Sequence, residues 1–176
     1  MAAQISAVWA EPSQASSEHF QLDFVAELPP LSLVVYHVTK ASVGSAHRAR
    51  YTFHRHGNPP AIQLEHFQVS SPEADAPLSL SNKHIQIWSS PETGLLQKLH
   101  LQSGLVRQVQ VQFLWYGTRT SQEKSGAYLF LPGEEGAQLY SSSEPPLVRV
   151  SRGPVFSDIT SCFRHFTHTI RLLHLD

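Results

Sequence analysis

The chain has little of what most often announces chemistry or location. One of its 176 residues is cysteine, Cys162, so no internal disulfide is possible and sulfur says nothing about the compartment. Charged residues make up 15%, below the usual share of about a quarter. Thirteen Lys and Arg balance fourteen Asp and Glu to a formal charge of −1, which offers no electrostatic case for nucleic acid or anionic lipid. No apolar run approaches the roughly 18 residues that a membrane helix needs, and the N-terminus lacks a basic flank followed by an apolar run. Neither Asn58 nor Asn82 stands in an Asn-x-Ser/Thr triplet, so no N-glycan acceptor is encoded. The period of an amphipathic helix is nearly absent too.

What remains points to strands. The chain is 41% hydrophobic, with enough β-branched and aromatic residues to bury a core. Its length suits one domain, or a small one plus part of another. Ser, Gln and His occupy the places left by charge, and the eleven histidines would make the chain distinctly cationic below about pH 6.5.

Ile5, Ala7 and Trp9 alternate with polar residues, as do Phe20, Leu22 and Phe24; beyond Pro29-Pro30, Leu31, Leu33 and Val35 resume the pattern. Residues 1–40 therefore read as three strands of a small antiparallel β unit, the end of a preceding β domain. Residues 41–77 loosen into a loop-rich connection with short strands over 49–54 and 62–69. Residues 78–176 read as the start of a larger β-sandwich domain, truncated at its C-terminal end, because Phe166, Ile170 and Leu172 still alternate as the chain stops. Within it, 83–89 and 95–101 flank Ser90-Pro91-Glu92-Thr93-Gly94, whose Pro and Gly suit a tight hairpin. Val109, Val111, Phe113 and Trp115 oppose Gln108, Gln110 and Gln112 on a half-buried strand. Further strands are expected over 127–131, 147–150 and 161–175. The expected fold is all-β, an antiparallel β-sandwich forming an incomplete part of a larger β-rich region.

The stretch 116–132 reads YGTRTSQEKSGAYLFLP. Its glycines break the chain, and Tyr128-Leu129-Phe130-Leu131 runs into Pro132, which cannot donate to a ladder. This stretch resembles the signature of the family-38 glycoside hydrolases, the retaining α-mannosidases, and within them the Golgi group. Glu144-Pro145-Pro146-Leu147-Val148-Arg149-Val150 and residues 168–175 resemble the same group, and the likeness is specific from about Leu80 onward. The loop after Pro132 departs from the family, reading Gly-Glu-Glu-Gly where relatives tend to have Asp-Gly.

The resemblance implies part of an enzyme that hydrolyses α-linked mannose during N-glycan processing in the Golgi lumen. It implies zinc in the parent enzyme, bound by an N-terminal domain that also supplies the nucleophile. Its partners would be a mannose-containing N-glycan, that missing catalytic domain and the remaining C-terminal β-strands. From this chain no catalytic residue and no metal ligand is carried over. Read on its own, Tyr128 is a core strand tyrosine with its hydroxyl at the rim. The resemblance instead implies that it reaches the active site and touches the mannose.

The other candidates are plainer. Glu134 and Glu135 in a glycine-flanked turn, and Glu73 and Asp75 in a Pro-rich loop, read as solvated charges rather than the paired carboxyls of a glycosidase. His54 and His56 would share one strand face, short of the three or four ligands zinc wants. His165 and His168, three apart on a strand, would face opposite sides. The alternative function is a non-catalytic β-sandwich that binds carbohydrate or a protein partner, with Trp88, Trp115 and Tyr116 as stacking platforms.

Overall fold

Alternation near the N-terminus produces a hairpin of two long strands, β1 (Ala3–Glu11) and β2 (Gln14–Phe24). The computed structural model describes residues 2–39, 47–55, 62–72, 77–119 and 124–174, and no helix occurs among them. The two-residue β3 (His47–Arg48) joins β1 in parallel. β4 (Arg50–His54) and β5 (Val69–Ser70) also pair in parallel. A four-stranded antiparallel meander follows, built from β6 (Leu78–Ser81), β7 (Ile85–Ser89), β8 (Leu96–Leu101) and β9 (Val106–Gln108). β10 (Leu114–Thr118) and β11 (Pro132–Leu139) make a two-stranded ribbon. Finally β12 (Leu147–Arg152), β13 (Phe156–Cys162) and β14 (Thr167–Leu173) complete a five-stranded sheet in the order β14-β13-β12-β4-β5. The fold is all-β and mostly antiparallel.

Register decides the layers. Val150 of β12 lies across from Thr52 of β4 and Ile159 of β13, so these three share a face. With Val148 and Leu172, Val150 and Ile159 pack against Leu78, Leu80 and Ile87 of the meander, forming an aliphatic core. On the opposite face Tyr51 and Phe53 cluster with Ala7 of β1 and with Phe67. The five-stranded sheet is therefore the middle of three layers, and β13 is buried along its whole length.

A strand buried on both faces is ordinarily apolar throughout. Here the face toward β1 is polar, and its charges are satisfied inside the fold. Arg149 lays its guanidinium 3.8 Å from the centre of the Trp9 ring and donates to the Pro12 carbonyl at 2.9 Å. Arg171 donates from Nε and Nη2 to the two carboxylate oxygens of Asp158 at 2.8 and 2.9 Å, and stacks 3.9 Å over Phe156. The Ala7 amide donates to the Tyr51 hydroxyl at 2.8 Å. Burial pushes the Tyr51 phenol above its ordinary pKa, with that hydrogen bond acting against the rise.

Arg171→Met strips both donors from a carboxylate that is largely buried, and should destabilise the fold by about 2–4 kcal/mol. Adding Asp158→Leu should recover part of that loss, because an apolar pair strands no charge. Urea denaturation of the single and double variants measures both; a negligible loss for Arg171→Met would mean that solvent already reaches Asp158.

Five strand expectations change, the first over 62–69, where only Val69 and the following Ser70 pair, as β5. Leu31 follows Pro29-Pro30 in the left-handed region, at φ 53°, and residues 31–38 form no ladder. Leu31 is fully exposed at 109%, Leu33, Val35 and Val38 are exposed as well, and β3 takes the place beside β1. Residues 109–113 form no ladder, and Trp115, expected on the apolar face of a strand there, is half exposed on the ribbon. Residues 127–131 are a turn and connection, and Pro132 opens β11 instead of ending a strand. Residues 161–175 divide at a turn closed by the Phe163 amide on the Phe166 carbonyl, 3.0 Å away. The Ser90–Gly94 hairpin does form: Gly94 takes φ 71°, and its amide donates to Ser90 O at 2.7 Å.

Candidate functional site

The SGAY segment is held as a loop by its own serine. Ser125 Oγ accepts from the Leu131 amide at 2.9 Å, while the Gly126 amide donates to the Leu129 carbonyl at 2.9 Å. Together these bonds close a two-residue turn whose residues are Ala127 and Tyr128. The Arg119 amide, at the end of β10, donates to Leu131 O at 3.3 Å, and Arg119 Nε reaches the Pro132 carbonyl at 3.3 Å. The loop is thereby tied to the base of the ribbon at two points.

Tyr128 sits at the apex, 104% exposed, with no ring contact among the described residues. Leu129 and Phe130 beside it are exposed too, and Phe130 meets the edge of the Tyr116 ring at 6.1 Å. A core tyrosine is thus excluded: the ring and its hydroxyl are both presented outward. An amphipathic ring held out on a short, internally braced turn can lie along sugar C–H groups and hydrogen-bond a hydroxyl.

A second aromatic surface lies at the other end of the ribbon. Phe113, Trp115, Tyr140, His165 and Phe166 line a cavity of about 610 Å³. Tyr140 and Phe166 meet at 5.0 Å between ring centres, and Phe113 and Phe166 at 4.7 Å. Trp115 is half exposed at its rim, whereas Trp88 is partly buried with the Lys98 ammonium 4.3 Å over its face. Of the three aromatics expected as platforms, Trp115 is on a concave surface, Tyr116 packs on the loop, and Trp88 already has a cation on one face.

Of the candidate carboxylates, Glu134 and Glu135 lie among the described residues. Glu134 and Glu135 fall where the β10–β11 register breaks, between Pro132 and Ala137, and both are exposed, as solvated charges are. Gly117 and Gly133 leave room for the Glu135 side chain to lie flat against the ribbon, since a Cβ at either position would collide with it. Glu73, Asp75 and His56 lie outside the described residues. His165 falls in the 163–166 turn and His168 in β14, so they do not share the strand expected for them. The His174 ring, just beyond β14, bonds Ser157 Oγ at 2.9 Å. No three His, Cys, Asp or Glu side chains gather to hold a metal among the described residues.

Residues 80–176 match the family described as the glycosyl hydrolases family 38 C-terminal domain. The chain belongs to that family. Beyond the matched span, similarity continues across almost the whole sequence. Alpha-mannosidase 2 of Mus musculus is 36% identical over 173 residues, 98% of this chain and 15% of that relative. Alpha-mannosidase 2 of Homo sapiens is 34% identical over 174 residues, again 98% and 15%. Lysosomal alpha-mannosidase of Dictyostelium discoideum is 28% identical over 153 residues, 80% of this chain. The chain thus spans about 15% of the length of the first of these mannosidases.

The family-38 span opens within β6 and takes in the meander, the ribbon with its SGAY loop, and β12–β14. β4 lies before that span yet forms part of the same five-stranded sheet.

Proposed function

We propose that the chain is the β-rich part of an α-mannosidase that hydrolyses α-linked mannose of N-glycans in the Golgi lumen. The observation that carries this reading is similarity over 98% of the chain to alpha-mannosidase 2. In it the three-layer body serves as scaffold and Tyr128 is the residue that contacts substrate. The nucleophile and the zinc belong to an N-terminal catalytic domain that these 176 residues do not include. When bound there, the metal would supply electrostatic attraction for sugar hydroxyls; the part played by this chain is positioning.

The physical work available to Tyr128 is specific. Its turn is short and braced by Ser125, so little conformational freedom is lost when the ring docks on a sugar. Its hydroxyl can donate to or accept from a sugar hydroxyl, and its face can cover the apolar side of a pyranose. Among the described residues no helix is long and apolar enough to cross a membrane.

A non-catalytic carbohydrate-binding module is the second reading, favoured by one observation, the exposed Trp115 at the mouth of the aromatic cavity. One experiment separates the two. The purified 176-residue chain, incubated with an aryl α-mannoside and added zinc, should give no turnover, because no nucleophile is present to form a covalent mannosyl intermediate. The full-length protein containing these residues should turn the same substrate over. Activity in the chain alone would overturn the assignment of catalysis to another domain; a full-length protein that binds mannosides without cleaving them would establish the binding module.

A further inference from the structure

Arg50, Thr52 and His54 of β4 alternate with buried Tyr51 and Phe53, and so fall on the face of the five-stranded sheet turned away from Ala7 of β1; Arg48 lies two residues before them, in β3. On that face β12 places Arg152 directly across from Arg50, with Cβ atoms about 4.5–5.5 Å apart. Like charges facing each other on adjacent strands repel, and a fold gains nothing from the arrangement by itself. Arg152 donates to the Ser79 carbonyl at 3.0 Å and Arg48 to the His66 carbonyl at 2.9 Å. Neither bond neutralises a charge, and Arg50 has no hydrogen-bond or ion-pair partner among the described residues.

These side chains line a groove of about 750 Å³, together with His47 and Ser70. That volume is the size of a small-molecule site and far exceeds a single inorganic ion. Among the described residues no carboxylate lines it. Burial, and then the charge of Arg152, hold the His54 imidazole below its ordinary pKa, so near neutral pH the positive charge of the groove rests on the guanidiniums. In a chain of net charge −1, three arginines lining one groove with no carboxylate among the described lining residues form an anion site.

We propose that this groove binds a small molecule bearing a phosphate or sulfate group, with the guanidiniums of Arg48, Arg50 and Arg152 around the oxyanion. A tetrahedral oxyanion has enough acceptor oxygens for three such forks, whereas one carboxylate is matched by a single fork. Thr52 and Ser70, already bonded to each other through their hydroxyls at 3.1 Å, give the wall beside the arginines a polar surface. The site is distinct from the SGAY loop and does not depend on the mannosidase reading.

Isothermal titration of the full chain with a hexose 6-phosphate, the matching hexose 6-sulfate, inorganic phosphate, inorganic sulfate and the plain hexose tests this. One esterified hexose should bind at least tenfold more tightly than its free anion, the two esters telling phosphate from sulfate, and the plain hexose should not bind. Arg50→Gln should weaken binding at least tenfold and Arg50→Lys less. Because Arg50 has no partner to lose among the described residues, Arg50→Gln should melt at the wild-type temperature or slightly above it. Equal binding by Arg50→Gln and wild type would mean an adventitious ion only, and would overturn the proposal. So would no ester binding more tightly than its free anion. Glu73 and Asp75 lie in sequence between Pro72 and Pro77 of the groove wall. Binding that emerged only after Glu73→Gln and Asp75→Asn would show that the groove holds its own acidic segment, and would also overturn it.

Discussion

Tyr128→Phe in the complete enzyme should lower kcat/KM by about five- to a hundredfold while leaving its melting temperature unchanged. One hydrogen bond from the phenol to a sugar hydroxyl in a closed site is worth roughly 1–3 kcal/mol of transition-state stabilisation. The ring is fully exposed and makes no ring contact among the described residues, so removing its hydroxyl takes nothing from the fold. Tyr128→Ala deletes the ring face as well and should cost more activity, again with a stability change within about 0.5 kcal/mol, as for other exposed positions. Ser125→Ala should act through the loop, freeing the Leu131 amide and loosening the turn that aims Tyr128. Steady-state kinetics on an aryl α-mannoside, paired with a thermal melt of each variant, reads all three. Full activity in Tyr128→Phe would reduce this loop to scaffold.

Gln4→Leu should destabilise the fold by about 3–5 kcal/mol. Gln4 is wholly buried, and its Oε1 accepts from the amides of Val155 and Phe156 at 3.1 and 3.2 Å. Its Nε2 donates to Ser6 Oγ at 2.9 Å. One side chain of β1 therefore satisfies the turn between β12 and β13, joining two layers of the molecule. Leucine has similar bulk but strands two buried amides, each costing about 1–3 kcal/mol. Gly153 makes the arrangement possible, since a Cβ there would collide with the Gln4 amide group. Gly153→Ala should thus eject Gln4 and cost a comparable amount, and the double variant should lose much less than the sum. Urea denaturation provides all the values. A loss below 1 kcal/mol for Gln4→Leu, or strict additivity with Gly153→Ala, would sink the idea.

Several parts of the site were legible in residues 116–132. The motif identified the family, and the glycines marked a break. The placement of Tyr128 was not legible, because YLFL has the composition of a short buried strand and nothing local says that it stays unpaired. Ser125 reverses that reading by taking the Leu131 amide that a ladder partner would otherwise bind. Likewise the residues VQVQFLW alternate as a half-buried strand should, yet a ladder forms only from Leu114, where β11 supplies a partner. The basic groove had a signal that went unused: Arg48, Arg50 and His54 recur at alternate positions. Its meaning depends on Arg152, a hundred residues away.

By itself the sequence determined the all-β class, the Ser90–Gly94 hairpin and membership of family 38. These rest on the period of two, on turn chemistry at a few adjacent residues, and on one motif, all of them local. The tertiary structure alone decided that the five-stranded sheet is a middle layer, that the polar face of β12 and β13 is buried, and that Arg50 faces Arg152. Alternation says which side chains share a face of a strand. It cannot say which strand lies alongside or what covers the face, because register and layer packing arise from contacts between segments far apart in the chain.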